Sequence, residues 1–339
     1  MEPTWEVIRA ALSISILSSS LSVFGGLLII GSYVTIPEIR NTVRRLLVCL
    51  TIADLVTAFG NFVGAVRYTV LQSFTQNITE FENDPVCVGQ AFFTTFSNLS
   101  SFVWTILIAL HLFLAVIFKR NLHFTHWLLV EILDHGFGWV LPAMGEDKVY
   151  GNGALMNESR AIAITALAKG KLGEDGTYAT GSWCWISKNI EPFHKQVEWM
   201  YITGKAGELI TYLVTATLYI LLKLFTRRMR RRNPDFEWSR TQQRLRKEDE
   251  NFCYAWGIVY LLRLWGTLRF FMSFYPRRYF LQDTYPTLDS VFMCLQCYGA
   301  SAQAFWNFIL YCVCDETVRH AVLRRRGNYQ ELESSIEQS

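Results

Sequence analysis

"LLVCLTIADLVTAFGNFVGAVRYTV", residues 46–70, is a run of 25 residues in which only Asp54 and Arg67 are charged. As an α-helix rising 1.5 Å per residue it would reach about 37 Å, more than the ~30 Å hydrocarbon core of a bilayer. Arg44 and Arg45 stand immediately before it. An apolar run of this length reads as a membrane-spanning helix. An ionisable group near the bilayer centre costs about 2.5–3.5 kcal/mol on insertion scales, so Asp54 is expected to face the interior of a helix bundle.

Working outward, comparable runs fall near residues 11–34, 88–117, 127–168, 197–225, 252–274 and 288–313. With the first they make seven, provided the interrupted run at 127–168 counts once. The composition agrees: 24 Phe, 15 Tyr and 11 Trp in 339 residues are far more apolar surface than a soluble core of this size needs. The first run lacks a cleavable leader pattern and is expected to stay as a signal anchor. The net charge of +3 becomes informative only when sorted by loop. Arg40, Arg44 and Arg45, then Lys119 and Arg120, then "KLFTRRMRRR", then Arg319 and Arg324–Arg326 follow the odd-numbered runs. The intervening loops are poorer in cations. Cations gather on the cytoplasmic side, so the amino terminus is expected outside and the carboxyl terminus inside.

The interrupted run is expected to be the fourth helix, assembled from 127–143 and 161–168. Between them "GEDKVYGNGALMNESR" brings three acids and two cations. Irregular backbone facing lipid is not tolerated at that depth, so 144–160 reads as an insertion that breaks the helix near 143–145, the helix resuming near 160. Asn77, in "NIT", is a glycosylation acceptor on the expected outer side, whereas Asn98, in "NLS", lies inside the third run.

Of the eight cysteines only Cys87 and Cys184 fall at outer positions, in a compartment where a disulfide persists. A bridge would pin the second outer loop over the bundle mouth; the alternative is two free buried thiols. Cys294 and Cys297 are one turn apart with no His or second Cys pair beside them, which favours packing over zinc. Cys312 and Cys314, at the inner end of the last run, fit either packing or palmitoylation.

Several polar residues fall within the runs. Arg67, Lys205, Glu208 and Arg269 sit toward the outer ends, and Lys205 and Glu208, three apart, share a helix face. Together with Trp183 and Trp185 they form a candidate ligand-binding mouth; the competing reading is snorkelling and internal ion pairing. Asp54, His111 and the deeper Arg263 are candidates for an inner polar network, His111 fitting a structural hydrogen-bonded role equally well. After the last run, Val318, Val322 and Leu323 against Arg319 and Arg324–Arg326 suggest a short amphipathic helix on the inner leaflet, followed by a polar tail.

Seven helices, a candidate bridge from the third run to an outer loop, and basic inner loops resemble a G-protein-coupled receptor. "SWCWI" at 182–186 looks like the second outer loop of the secretin/adhesion and cAMP-receptor-like families. "RRLLVCLTIADL", "ITGKAGELITYL", "LLRLWGTLRF" and "LQCYGASAQAFWNFILYCVCDETVRHAVL" are similar to the orphan G-protein coupled receptor 157 group. The chain departs from rhodopsin-like receptors: the third run ends "LFLAVIFKR", and the seventh has no N-P-x-x-Y.

The resemblance implies an all-α membrane protein: residues 1–10 outside, a seven-transmembrane helix bundle at 11–313, and a cytoplasmic helix and tail at 314–339. It implies a plasma-membrane receptor that passes an unknown extracellular signal to a heterotrimeric G protein. Asp54 resembles the second-span acid of many receptors. Arg44, Arg45, Lys119, Arg120, Arg227, Arg228, Arg230, Arg231 and Arg232 would face the G protein, although attraction to anionic membrane lipid explains the same cations. No cofactor, metal or nucleic acid is implied, and no enzyme motif is present. The alternatives are a transporter or channel, against which stands the absence of a half-to-half repeat, or a non-signalling variant of such a receptor.

Overall fold

In the computed structural model, which describes residues 5–74, 84–118, 162–175, 180, 183–232, 240–274, 280–315 and 318–321, the apolar runs are helices. The first three are α1 (Trp5–Thr35), α2 (Thr42–Phe74) and α3 (Pro85–Phe118). Local chemistry sets their starts. Asn41 Oδ1 accepts the Arg44 N–H at 2.7 Å and caps α2. Asp84 Oδ1 accepts the Val86 N–H at 3.2 Å ahead of α3.

Of the interrupted fourth run the described part is α4 (Ile162–Ala168). Residues 119–161 lie outside the described residues, and with them the expected break and the whole 144–160 insertion. Next comes a feature outside the all-α expectation: β1 (Leu172–Gly173) pairs antiparallel with β2 (Trp185–Ile186). α5 (Phe193–Met200) runs through a π-helical turn, Tyr201–Lys205, into α6 (Ala206–Arg232).

The basic stretch between the fifth and sixth runs is largely helical among the described residues, because α6 extends to Arg232 and α7 (Arg240–Phe274) begins well before the apolar part of its run. The last run is segmented. After α8 (Phe280–Thr284), α9 (Pro286–Ser301) starts with a proline that needs no intrahelical donor. α10 (Gln303–Phe308) follows a one-residue break at Ala302 and passes into a second π-helical turn, Ile309–Val313.

α1 packs on α2, α9 and α10; α2 on α3; α3 on α6 and α7; and α7 on α9, so these helices close a ring. Among the described residues four helices are long and apolar enough to cross a membrane: Trp5–Thr35, Thr42–Leu71, Pro85–Ile117 and Phe193–Met229.

The side-chain distribution suits lipid. On α1, Ser15, Ser18, Ser19 and Ser22 are buried while Leu17, Phe24 and Leu27 are exposed. Lipid tails solvate the large apolar groups, and small residues let neighbouring backbones approach. Gly25 is one such contact: a Cβ there would lie 3.1 Å from the Phe305 Cα. At one end of the ring Leu46, Leu47 and Leu50 of α2 pack with Trp104, Ile108 and Leu112 of α3, Phe252 of α7 and Tyr311.

Candidate functional site

At the other end Cys87, in the first turn of α3, is bonded to Cys184, just before β2. The bridge is embedded in charge. Arg67 Nε donates to Asp84 Oδ2 at 2.8 Å and its Nη1 to Glu174 Oε2 at 3.3 Å; Glu174 Oε2 lies 3.6 Å from Cys184 Sγ. Burial works to raise the pKa of Asp84, but the Arg67 guanidinium and the Val86 N–H outweigh it and hold the carboxyl below its ordinary value. Asp175, next to Glu174, behaves oppositely. Burial first, and then the Glu174 carboxylate, push it well above the ordinary value, and its Oδ2 has no hydrogen-bond partner among the described residues.

The bridge and a bond from the Cys184 N–H to Gln90 Oε1 (2.8 Å) fix the loop across the helix ends. Its two tryptophans then rest on glycines. A Cβ at Gly64 would lie 2.7 Å from the Trp183 Cβ, and one at Gly204 2.8 Å from the Trp185 ring, so neither position leaves room for a side chain.

Beneath the tryptophans lies a cavity of about 100 Å³. Trp183 and Trp185 line it from the loop, Thr95, Asn98 and Phe102 from α3, Lys205 and Glu208 from the π turn and α6, and Arg263 from α7. Lys205 Nζ donates to Glu208 Oε2 (2.9 Å) and to Thr267 Oγ1 (3.1 Å). The other Glu208 oxygen accepts from the Tyr212 hydroxyl (2.6 Å) and from Thr267. Arg263 Nε donates to Gln303 Oε1 (3.2 Å), and its Nη2 to the same oxygen (3.1 Å) and to Asn98 Oδ1 (2.9 Å). Its guanidinium lies 4.9 Å from the Phe102 ring centre.

From Arg263 the polar path continues inward. Gln303 Nε2 donates to Ser101 Oγ (3.1 Å), Ser101 Oγ to Asp54 Oδ1 (2.8 Å), and Asn307 Nδ2 to Asp54 Oδ2 (3.2 Å). Asp54 therefore joins α2, α3 and α10, and Arg263 belongs both to the cavity wall and to this network. His111, half-buried, is bonded to neither among the described residues.

Of the six residues expected at a ligand mouth, Trp183, Trp185, Lys205 and Glu208 meet at the cavity. Arg67 and Arg269 do not line it. Arg67 serves the loop anchor, and Arg269 grips Asp289 with two bonds, 2.8 and 3.2 Å. Both found acids outside their own helices, in positions that sequence spacing does not reveal.

Among the cations expected to meet a G protein, Arg227, Arg228 and Arg231 are exposed and Arg45 is half-buried. Arg44 instead turns inward to Asp315 and the Tyr311 carbonyl, both at 2.7 Å. The helix N-terminus that starts at Asn41 directs it there. Asn77, Lys119 and Arg120, and the side chains of Arg230 and Arg232, lie outside what is described. The polar face of α3 was legible in "TTFSNLSS", residues 94–101, whose spacing turns Thr94, Ser97, Asn98 and Ser101 to one side. Gln303 and Asn307 carried the same signal, four residues apart.

Comparison with known proteins agrees with this architecture. Residues 9–157 match the family described as 7 transmembrane receptor (Secretin family). G-protein coupled receptor 157 of Homo sapiens is 28% identical over 322 residues, covering 94% of this chain and 84% of the relative. The proteins of the same description from Mus musculus and Rattus norvegicus are 27% and 28% identical over 323 residues, covering 94% of this chain and 86% of each relative. These relatives are receptors and not enzymes. The chain is thus a multi-pass membrane protein, similar over nearly all of its length to the G-protein coupled receptor 157 proteins.

Proposed function

We propose that the chain is a plasma-membrane receptor of seven spans, its amino terminus outside, which couples a ligand in the cavity to a heterotrimeric G protein inside. The observation that carries this reading is the continuous set of hydrogen bonds from Arg263 in the cavity wall through Gln303 and Ser101 to Asp54. A ligand that draws on Arg263 changes bonds shared by α2, α3, α7 and α10, and differential contact of that kind shifts a helix-bundle equilibrium.

In this reading residues 1–10 and Asn77, glycosylated, lie outside. Residues 11–313 form the receptor bundle, with 144–160 as an insertion in its fourth span, and 314–339 form the inner amphipathic helix and tail. Arg45, Lys119, Arg120, Arg227, Arg228 and Arg230–Arg232 meet the G protein or the anionic inner leaflet, and Arg44 supports that face from behind. Asp54, Arg263 and the residues between them relay the change.

The test is nucleotide exchange on a panel of purified heterotrimeric G proteins, using membranes that contain the full chain. Exchange above that of membranes without it, lost in Asp54→Ala at matched surface expression, is expected. No exchange with any G protein, together with a measurable solute flux, would replace the receptor by a transporter or channel.

A further inference from the structure

We propose that the cavity takes a small organic acid, its carboxylate on the Arg263 guanidinium and its compact apolar body between Trp183, Trp185 and Phe102. The inference rests on the receptor reading for its biological sense but not for its chemistry. The cavity wall carries two cations, Lys205 and Arg263, against one carboxylate, Glu208. That carboxylate is largely engaged, its two oxygens accepting from Lys205, Tyr212 and Thr267. An incoming amine finds, among the described wall residues, one carboxylate with only about one of its four acceptor positions unused, and that one lies beside the Lys205 ammonium.

An incoming acid finds open donors. Arg263 offers five N–H groups in a planar fork, and its bonds leave from Nε and Nη2 only, so Nη1 makes none among the described residues. Its present partners, Gln303 and Asn98, are neutral amides. Asp54 and Glu208 lie within electrostatic range of Arg263, but neither touches it. Lys205 Nζ spends two of its three protons. Thr95, 2% exposed and part of the same wall, has a hydroxyl with no hydrogen-bond partner among the described residues. A buried hydroxyl left unbonded is unfavourable, and a carboxylate oxygen between Thr95 and Arg263 satisfies both groups.

Size limits the rest of the molecule. About 100 Å³ holds on the order of ten water-sized atoms, which admits a monocyclic acid and not a folded peptide. Aromatic rings on the wall favour a flat or aliphatic body. A carboxylate on Nη1 brings negative charge to the same guanidinium that holds Gln303, the next member of the path to Asp54, so occupancy is felt along the network.

The test uses the full chain in lipid nanodiscs with three probes of one shape, benzoate, benzamide and benzylamine. Binding is read from the concentration dependence of the thermal unfolding midpoint at neutral pH. Benzoate is expected to bind on the order of tenfold tighter than benzamide, the ratio that one charge-assisted hydrogen-bond pair supplies, with benzylamine weakest. Arg263→Gln should bring benzoate down to the level of benzamide, and Arg263→Lys should keep part of the preference. Thr95→Val, which preserves shape and the guanidinium, should weaken benzoate more than benzamide even if the arginine variants unfold. Equal binding of benzoate and benzamide, tighter binding of benzylamine, no stabilisation by benzoate, or a benzoate effect untouched by Thr95→Val and by every folded arginine variant each overturns the proposal. Discrimination between the probes without any nucleotide exchange keeps the acid site and removes the receptor reading; exchange without discrimination does the reverse.

Discussion

Arg44 and Asp315 are 271 residues apart in the chain and 2.7 Å apart in the fold. Their side chains are 6% and 5% exposed, so the pair is buried at the junction of α2 with the end of the last helical run. The Arg44 guanidinium also lies 5.2 Å from the Tyr311 ring centre. Removing one member of a buried pair strands the other charge, at a cost of about 3–5 kcal/mol. Asp315→Ala and Arg44→Ala are each expected to lower the unfolding midpoint sharply. The double variant Arg44→Met with Asp315→Leu should recover much of the loss. A double variant as unstable as the singles would mean that packing, not charge, dominates this contact.

Asp175 predicts a pH dependence with a definite sign. Its carboxyl is pushed up in the folded state by burial and by Glu174, while Thr180 and Arg269 work the other way. The folded chain therefore holds this proton more tightly than the unfolded chain does. The associated stability is fully present below the unfolded pKa, ordinarily about 3.9, and is lost as pH rises through the folded value. Asp175→Asn should stabilise the protein at neutral pH and by less in acid. Unfolding midpoints measured from about pH 4 to about pH 8 check this, and a variant whose curve runs parallel to wild type removes the claim.

A Cβ on Gly299 would lie 1.9 Å from the Leu262 carbonyl oxygen, which is backbone of α7 and has nowhere to move. Gly257, on the same α7, has nothing within 4 Å of such a Cβ among the described residues. Gly299→Ala is expected to cost at least about 1–3 kcal/mol by forcing α9 from α7, and Gly257→Ala to be neutral or slightly stabilising through helix propensity. Thermal unfolding of the two variants side by side distinguishes them.

In the proposed reading of 144–160 as an insertion, its deletion is expected to join two apolar segments into one helix long enough to span. The shortened chain should reach the cell surface at a higher level than the full one, measured by surface biotinylation. Equal or better trafficking of the full chain sinks the reading of this segment as a disruptive insertion.

Sequence carries depth along a membrane helix well and direction around it poorly. The extents of the first three apolar runs and the placement of Cys87 and Cys184 were legible because they depend on position along the chain. Lys205 and Glu208 were legible as a pair because three residues bring them to one face. Arg67, Arg263 and Arg269 all read as intramembrane cations, yet one anchors a loop, one lines the cavity and one grips Asp289. Their partners come from other segments, so only the assembled ring separates these roles. The two-stranded pairing of Leu172–Gly173 with Trp185–Ile186 was invisible for the same reason: each strand is two residues long, too short to carry a pattern, and its partner comes from another segment.

The π turn at Tyr201–Lys205 has a consequence for rotation. Met200 and Glu208 are both buried, although they stand eight residues apart. In an uninterrupted α-helix eight residues leave two side chains about 80° out of phase. A π turn takes up one extra residue, so the interval behaves like seven and both point to the same side. The outer segment thus keeps the phase its loop contacts demand, while α6 keeps the phase that presents Glu208 to Lys205, Tyr212 and Thr267. Wound as plain α-helix, the same residues would turn that carboxylate about 80° away from the side on which Met200 is buried.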